Sequence, residues 1–136
     1  MSTTVENEWP RQVTILGVGL LGGSVALSMR RTVPGIRLVG LARSPEKRQF
    51  LTASGIVDLP AETISDACEQ SDVVVVASPV DRIAEMVISA AESSPEHCLI
   101  TDVGSTKRQI VASVDVHPAA SRKFVAAHPI AGSEKS

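Results

Sequence analysis

Gly17, Gly19 and Gly22 stand at GxGxxG spacing. An apolar run at residues 13–16 precedes them, and residues 24–29 read as the start of a helix. That order of strand, turn and helix suits phosphate binding. Gly17 permits the tight turn, Gly19 lets the backbone approach a pyrophosphate, and Gly22 lets the helix pack closely on the strand. The first helical residues, Leu20 and Leu21, add free N–H groups and the positive end of the helix dipole. Many glycine turns bind nothing, and the alternative is a plain turn between a strand and a helix. Which dinucleotide fits is read about 20 residues further on, where an Asp or Glu would bond a free ribose 2′-hydroxyl. Here that position is Ala42, followed by Arg43 and Ser44. A guanidinium meets a 2′-phosphate with a bidentate fork, so the triplet leans toward NADP over NAD. Otherwise Arg43 stacks on adenine or points to solvent.

Those residues need a frame to hold them. After a loose tail at residues 1–10, apolar runs alternate with helical patterns over residues 11–136. Residues 36–41 read as a second strand, introduced by the Pro34-Gly35 turn. Ser44 and Pro45 open a helix through about Ala53 as N-cap and first helical residue, and Gly55 ends it. Ile56-Val57 reads as a short third strand, and residues 64–69 as a short helix. Residues 72–77 hold four consecutive valines, the mark of a strand buried on both faces. Pro79 breaks that strand, and Ile83, Met86, Val87 and Ala90 repeat at helical spacing, with Asp81 as N-cap. Residues 98–102 form a fifth strand, residues 106–114 a helix, and residues 123–126 a sixth strand.

Strands separated by helices in this way imply an α/β fold: a Rossmann-like, doubly wound, mainly parallel sheet with helices on both faces. Ligands of such sheets bind beyond the carboxyl ends of the strands. The rule selects the loops after Leu16, Leu41, Ala77, Asp102 and Ala126. Ser78, Pro79 and Asp102 therefore join the cofactor-binding candidates, although capping the next helix is the more ordinary role for Asp102.

Composition fits one aliphatic domain. The chain has 136 residues, 43% of them hydrophobic, and only Trp9, Phe50 and Phe124 are aromatic. A formal charge of −2 gives no reason to expect nucleic acid or an acidic membrane as partner. Cys68 and Cys98 lie 30 residues apart without metal-ligand spacing, so no metal is expected and the thiols suit a reducing compartment. The first ten residues are polar and acidic, unlike a signal peptide, and no apolar run is long enough to cross a membrane. The expected location is cytoplasmic.

Two later segments narrow the function. Residues 125–136, with His128-Pro129-Ile130-Ala131-Gly132-Ser133-Glu134, resemble the HPxxG(S/T)E segment of prephenate and arogenate dehydrogenases. Residues 101–107, with Asp102-Val103-Gly104-Ser105-Thr106-Lys107, resemble their D-x-(G/A)-S-x-K segment. The resemblance runs from about Val13 to Ser136. It implies a small-molecule substrate, prephenate or arogenate, oxidised and decarboxylated with NAD(P) in tyrosine biosynthesis. It also implies that His128 bonds the substrate's ring hydroxyl and then takes its proton, as a neutral imidazole near pH 7 can do. Ser105 would bond both the histidine and that hydroxyl, while Lys107 is structural. Without the motif, His128 reads as an ordinary loop histidine ahead of a proline. His97 and His117 read as surface-loop residues with no assigned role. In the family, a helical domain follows, forms a homodimer and supplies a substrate-binding arginine. The expectation is thus an isolated dinucleotide-binding domain that turns over poorly alone. Two alternatives stay open: a different dehydrogenase of this fold, such as a β-hydroxyacid dehydrogenase or an imine reductase, and a dinucleotide-binding module without chemistry.

Overall fold

The structure is a computed structural model and describes residues 9–103 and 107–126. Five strands alternate with helices: β1 (Gln12–Leu16), α1 (Leu20–Thr32), β2 (Arg37–Leu41), α2 (Pro45–Ala53), β3 (Leu59–Ala61), α3 (Ile64–Cys68), β4 (Val73–Val76), α4 (Val80–Ser93) and β5 (Leu99–Asp102), then α5 (Lys107–Asp115) and α6 (Pro118–Lys123). The strands form one all-parallel sheet in the order β3-β2-β1-β4-β5. The chain winds outward from β1 in one direction and restarts beside it with β4. That reversal opens a crevice at the carboxyl ends of β1 and β4, where ligands of such sheets bind.

Strand side chains alternate between two cores. Val13 and Ile15 of β1, Leu38 of β2 and Val75 of β4 pack with Ala26 of α1 and Leu51 of α2. Leu16, Val39, Val74, Val76 and Ile100 face the other way, against Ile83, Val87 and Ala90 of α4 and Val114 of α5. The valine run is therefore buried on both faces, as its sequence implies. Thr14, also fully buried in β1, finds polar company: its hydroxyl donates to the Ala67 carbonyl at 2.8 Å and contacts Ser71 Oγ.

Several boundaries differ from the sequence reading. The third strand is Leu59–Ala61, not Ile56-Val57. Gly55, at φ +78°, ends α2, and the next three residues carry the chain from the helix layer to the sheet edge. Val57 is buried there as core, while Asp58 N–H and carboxylate bond the Leu38 carbonyl and N–H, each at 2.8 Å. Asp81 is not an N-cap. Helix α4 begins at Val80 after an extended Pro79, and Asp81 lies in its first turn, where a carboxylate still favours the dipole. The sixth strand shrinks to a single bridge, Ile100 with Phe124. Most of the preceding residues form α6 instead, capped by His117, whose Nδ1 accepts from Ala120 N–H at 3.3 Å.

Candidate functional site

The glycine turn joins β1 to α1 at the crevice. Gly17 has φ +96°, and a Cβ there would sit 2.7 Å from Ser78 Oγ and 2.9 Å from the Ala77 carbonyl. A side chain is thus excluded twice, by backbone conformation and by the β4 end lying against the turn. A Cβ on Gly22 would overlap the Gly17 carbonyl oxygen and come 3.2 Å from Ile15 Cγ2, so only glycine lets α1 lie this close to β1. Gly19 differs: a Cβ there would meet nothing within 4 Å. Its backbone borders open space, which is what an approaching diphosphate requires.

Helix α1 starts at that space with no side-chain cap at Gly19 and no acidic residue in its first turn. Its first N–H groups have no partner within the helix, and the nearest intrahelical bond is Gly23 N–H to the Gly19 carbonyl at 2.8 Å. Leu20 is 93% exposed and Leu21 half so. The backbone donors under them are accessible to an anion, and the dipole adds to the attraction. Uncapped donors, missing acids and vacant space above Gly19 together fit a pyrophosphate. Val18 is buried and holds the turn down.

The loop after β2 lies at the same edge. Ala42 is buried, with its N–H on the Ala61 carbonyl at 2.8 Å. Ser44 Oγ accepts from Lys47 N–H at 3.1 Å, so the expected cap is present and occupies the side chain assigned to the cofactor. Arg43 is exposed, and its guanidinium makes no hydrogen bond or ion pair with the described residues. It borders a surface cleft with Glu62, Thr63, Ser65, Ser89 and Glu92. Across the crevice, Ser78 is half-buried beside Gly17, its Oγ 3.4 Å from the Leu16 carbonyl, and Pro79 is exposed. Asp102 ends β5 fully buried, five residues before α5, and so does not stand at that helix's N-cap position.

Ser105 and His128 lie outside the described residues, as do the tail at residues 1–8 and the remainder of both motifs apart from residues 101–103, 107, 125 and 126. The segments leading to them are described, and they are neighbours. Val125 N–H donates to the Ile100 carbonyl at 2.8 Å, and Thr101 Oγ1 donates to the Val125 carbonyl at 2.7 Å. The bridge between Ile100 and Phe124 is parallel, so both segments run toward the edge that holds the glycine turn.

Two features missed by sequence reasoning, at Asp72 and Lys123, serve the fold. The Asp72 carboxylate accepts from Arg11 N–H at 2.7 Å and Gln12 N–H at 3.3 Å, and it bonds His97 Nε2 at 2.7 Å. Burial pushes its pKa upward, but the His97 bond and the two backbone donors outweigh that and hold it below the usual carboxylate range. Lys123 is buried with Nζ on the carbonyls of Ala91 (2.8 Å) and Ser94 (3.1 Å), closing the end of α4. Cys68 and Cys98 are free and buried; burial, and secondarily Cys98 nearby, push the Cys68 thiol up to about 12, so it is unreactive. Among the described residues no cluster could hold a metal ion, and no helix is long and apolar enough to cross a membrane.

Comparison with known proteins decides the family. Residues 25–136 match the family model of the prephenate dehydrogenase nucleotide-binding domain. This chain belongs to that family. A prephenate dehydrogenase of Bacillus subtilis is 36% identical over 131 residues, 96% of this chain and 35% of that protein. A cyclohexadienyl dehydrogenase of Zymomonas mobilis is 26% identical over 127 residues, 93% of this chain and 43% of that protein. Prephenate dehydrogenase from Aquifex aeolicus, solved with hydroxyphenyl propionate and NAD+, superposes with a TM-score of 0.79 at 31% identity, covering 93% of this chain and 44% of that one. The chain thus spans between a third and a half of the length of these relatives. As a prephenate dehydrogenase nucleotide-binding domain, it accounts for the uncapped glycine turn at the sheet's switch point. The Rossmann-like architecture expected from the sequence is the one found.

Proposed function

We propose that this chain is the dinucleotide-binding part of a dehydrogenase that oxidatively decarboxylates prephenate or arogenate in the cytoplasm, with NADP favoured over NAD. The observation that carries this reading is the bond from Thr101 to Val125. It joins, side by side, the two segments that lead within a few residues to Ser105 and His128. Both run to the sheet edge bearing the glycine turn, and β1 and β5 are only two strand spacings apart, about 10 Å.

The roles follow from position and chemistry. Backbone N–H groups of Leu20, Leu21 and Gly22 bind the diphosphate at the α1 terminus, against the surface left open by Gly19. The Arg43 guanidinium takes the 2′-phosphate, supported by the absence of a carboxylate at Ala42 and by its having no partner among the described residues. Ser78 and Pro79 border the crevice from the β4 side, and Asp102, buried at the end of β5, lies at the same carboxyl edge of the sheet. When bound, the nicotinamide supplies a hydride acceptor. As the ring carbon bearing the hydroxyl loses hydride, positive charge develops there, and the hydroxyl proton becomes acidic. His128, as neutral imidazole, accepts that proton, and Ser105 orients both groups by hydrogen bonding. Loss of the ring carboxylate as CO2 leaves its bonding electron pair in the ring, which aromatises as a phenolate, and His128 returns the proton to that oxygen. The rest of the substrate pocket and a homodimer interface belong to the helical domain typical of the family.

Substituting His128→Asn in the complete enzyme tests the reading. We expect kcat to fall by roughly 10²–10⁴ while nucleotide affinity changes less than about twofold. An unchanged rate would end the assignment of His128 as base.

A further inference from the structure

We propose that Arg48, on α2, is a positioning residue for the adenosine end of the cofactor site: it sets the loop from which Arg43 reaches the 2′-phosphate. The inference rests on the NADP reading above and adds a residue that contacts no part of the nucleotide. A single nitrogen of Arg48, NH1, donates to two successive carbonyls, those of Ala42 and Arg43, each at 2.9 Å. The side chain is half-buried beneath the loop. On its other sides the loop is held by Ala42 N–H on the Ala61 carbonyl (2.8 Å) and by Ser44 Oγ on Lys47 N–H (3.1 Å).

Every restraint falls on the backbone of residues 42–44 or on Ser44, and the Arg43 side chain makes no hydrogen bond or ion pair with the described residues. The loop is also tied to the phosphate end of the site. A Cβ on Gly40 would lie 3.0 Å from Val18 Cγ2, so the buried valine of the glycine turn packs over the strand that feeds this loop. Turn and loop thus share one rigid support. A bidentate guanidinium–phosphate contact depends on direction as well as charge. Fixing both carbonyls that flank the Arg43 Cα fixes the direction in which its side chain leaves the backbone.

The test is a double-mutant cycle on this chain, reading dissociation constants for NADP+ and NAD+ by calorimetric titration. Arg43→Ala should weaken NADP+ at least about tenfold and leave NAD+ within about threefold. Arg48→Gln should reproduce most of that NADP+ loss. In the Arg43→Ala background it should add less than about twofold, because a positioning residue has nothing left to position. An unchanged NADP+/NAD+ ratio in Arg43→Ala defeats the NADP reading, and this inference with it. A normal Arg43→Ala effect with a full additional loss from Arg48→Gln overturns the positioning role alone and makes Arg48 an independent phosphate contact. Equal weakening of both nucleotides by Arg48→Gln reduces Arg48 to support of the fold. If Arg48→Gln does not fold, Arg48→Lys, whose ammonium can still donate to both carbonyls, runs the same cycle. A partial NADP+ loss that vanishes in the Arg43→Ala background upholds the proposal, and one that persists overturns it.

Discussion

Gly19 and Gly22 sit three residues apart in one turn, yet the structure separates their roles, and a pair of alanine substitutions exposes the difference. At Gly22 the added methyl overlaps the Gly17 carbonyl oxygen and presses on Ile15 Cγ2 at 3.2 Å. The obstacle is mainly backbone, which cannot rotate away, so α1 must lift from β1. Overpacking of this kind costs about 1–3 kcal/mol. Gly22→Ala should therefore lower the urea midpoint clearly, and nucleotide affinity falls with the displaced helix. At Gly19 φ is −102°, on the side open to L residues, and the methyl meets nothing within 4 Å. Gly19→Ala should leave folding stability within about 1 kcal/mol of the parent, a slight gain from a stiffer unfolded chain included. The methyl nevertheless fills the space where a diphosphate must lie against the backbone. We expect NADP+ and NAD+ affinity to drop together by about 30- to 150-fold, since losing two neutral or charge-assisted hydrogen bonds removes roughly 2–3 kcal/mol. Urea denaturation followed by calorimetric titration reads both quantities on the same samples. If Gly19→Ala binds nucleotide as the parent does, the diphosphate does not lie where we place it. If Gly22→Ala is as stable as the parent, the close helix–strand approach is not what demands glycine.

Two further predictions concern the fold. Replacing Lys123 with Met removes the donor to the Ala91 and Ser94 carbonyls at the end of α4; with one buried and one half-buried acceptor left unmet, we expect a loss of about 2 kcal/mol and a melting point lower by several degrees, and an unaltered melting point would refute that role. Asp72 has a folded-state pKa held below its unfolded value. Its contribution is therefore complete above the unfolded pKa of about 4 and disappears as pH falls through the lower folded value. The stability difference between the parent and Asp72→Asn should shrink below about pH 4, and a difference independent of pH would remove the carboxylate from the account.

How legible the molecule is in its sequence depends on the range of the interaction. The glycine turn, the valine strand and the Ser44-Pro45 helix start are local signals, set by residues within a few positions of one another, and the structure keeps all three. As a candidate, Arg43 is legible in the same way, because a strand end and a missing carboxylate suffice to single it out. The Arg48 hydrogen bonds are not, since they need a side chain reaching back to carbonyls five and six residues earlier. Helix α6 is hidden for two reasons: its cap is a histidine, an uncommon N-cap, and the apolar residues at its end look like a strand. Phe124 N–H is already bonded to the Ala120 carbonyl at 2.9 Å, which leaves too little free backbone for a sixth ladder. Ile56-Val57 misleads similarly, as burial without strand pairing. The Asp72 cluster has no signal at all, because its partners lie 25, 60 and 61 residues away in sequence.

On the proposed function, the reduced sixth strand bears on catalysis. A full ladder would fix the segment at residues 124–126 through many backbone bonds, and no one of them would matter much. Here a side chain does much of that work: Thr101 Oγ1 on the Val125 carbonyl, beside one backbone bond from Val125 to Ile100. Thr101→Val keeps the shape of the side chain and deletes the donor. A neutral hydrogen bond contributes about 1 kcal/mol, too little to unfold the chain, yet as lost alignment it corresponds to roughly a fivefold rate change. In the complete enzyme we expect kcat to fall by about that factor, with nucleotide affinity unchanged, and Thr101→Ser to recover most of the loss. A loss confined to stability, or one that serine fails to repair, would mean that the Thr101 link holds the sheet edge together without aligning His128 against Ser105.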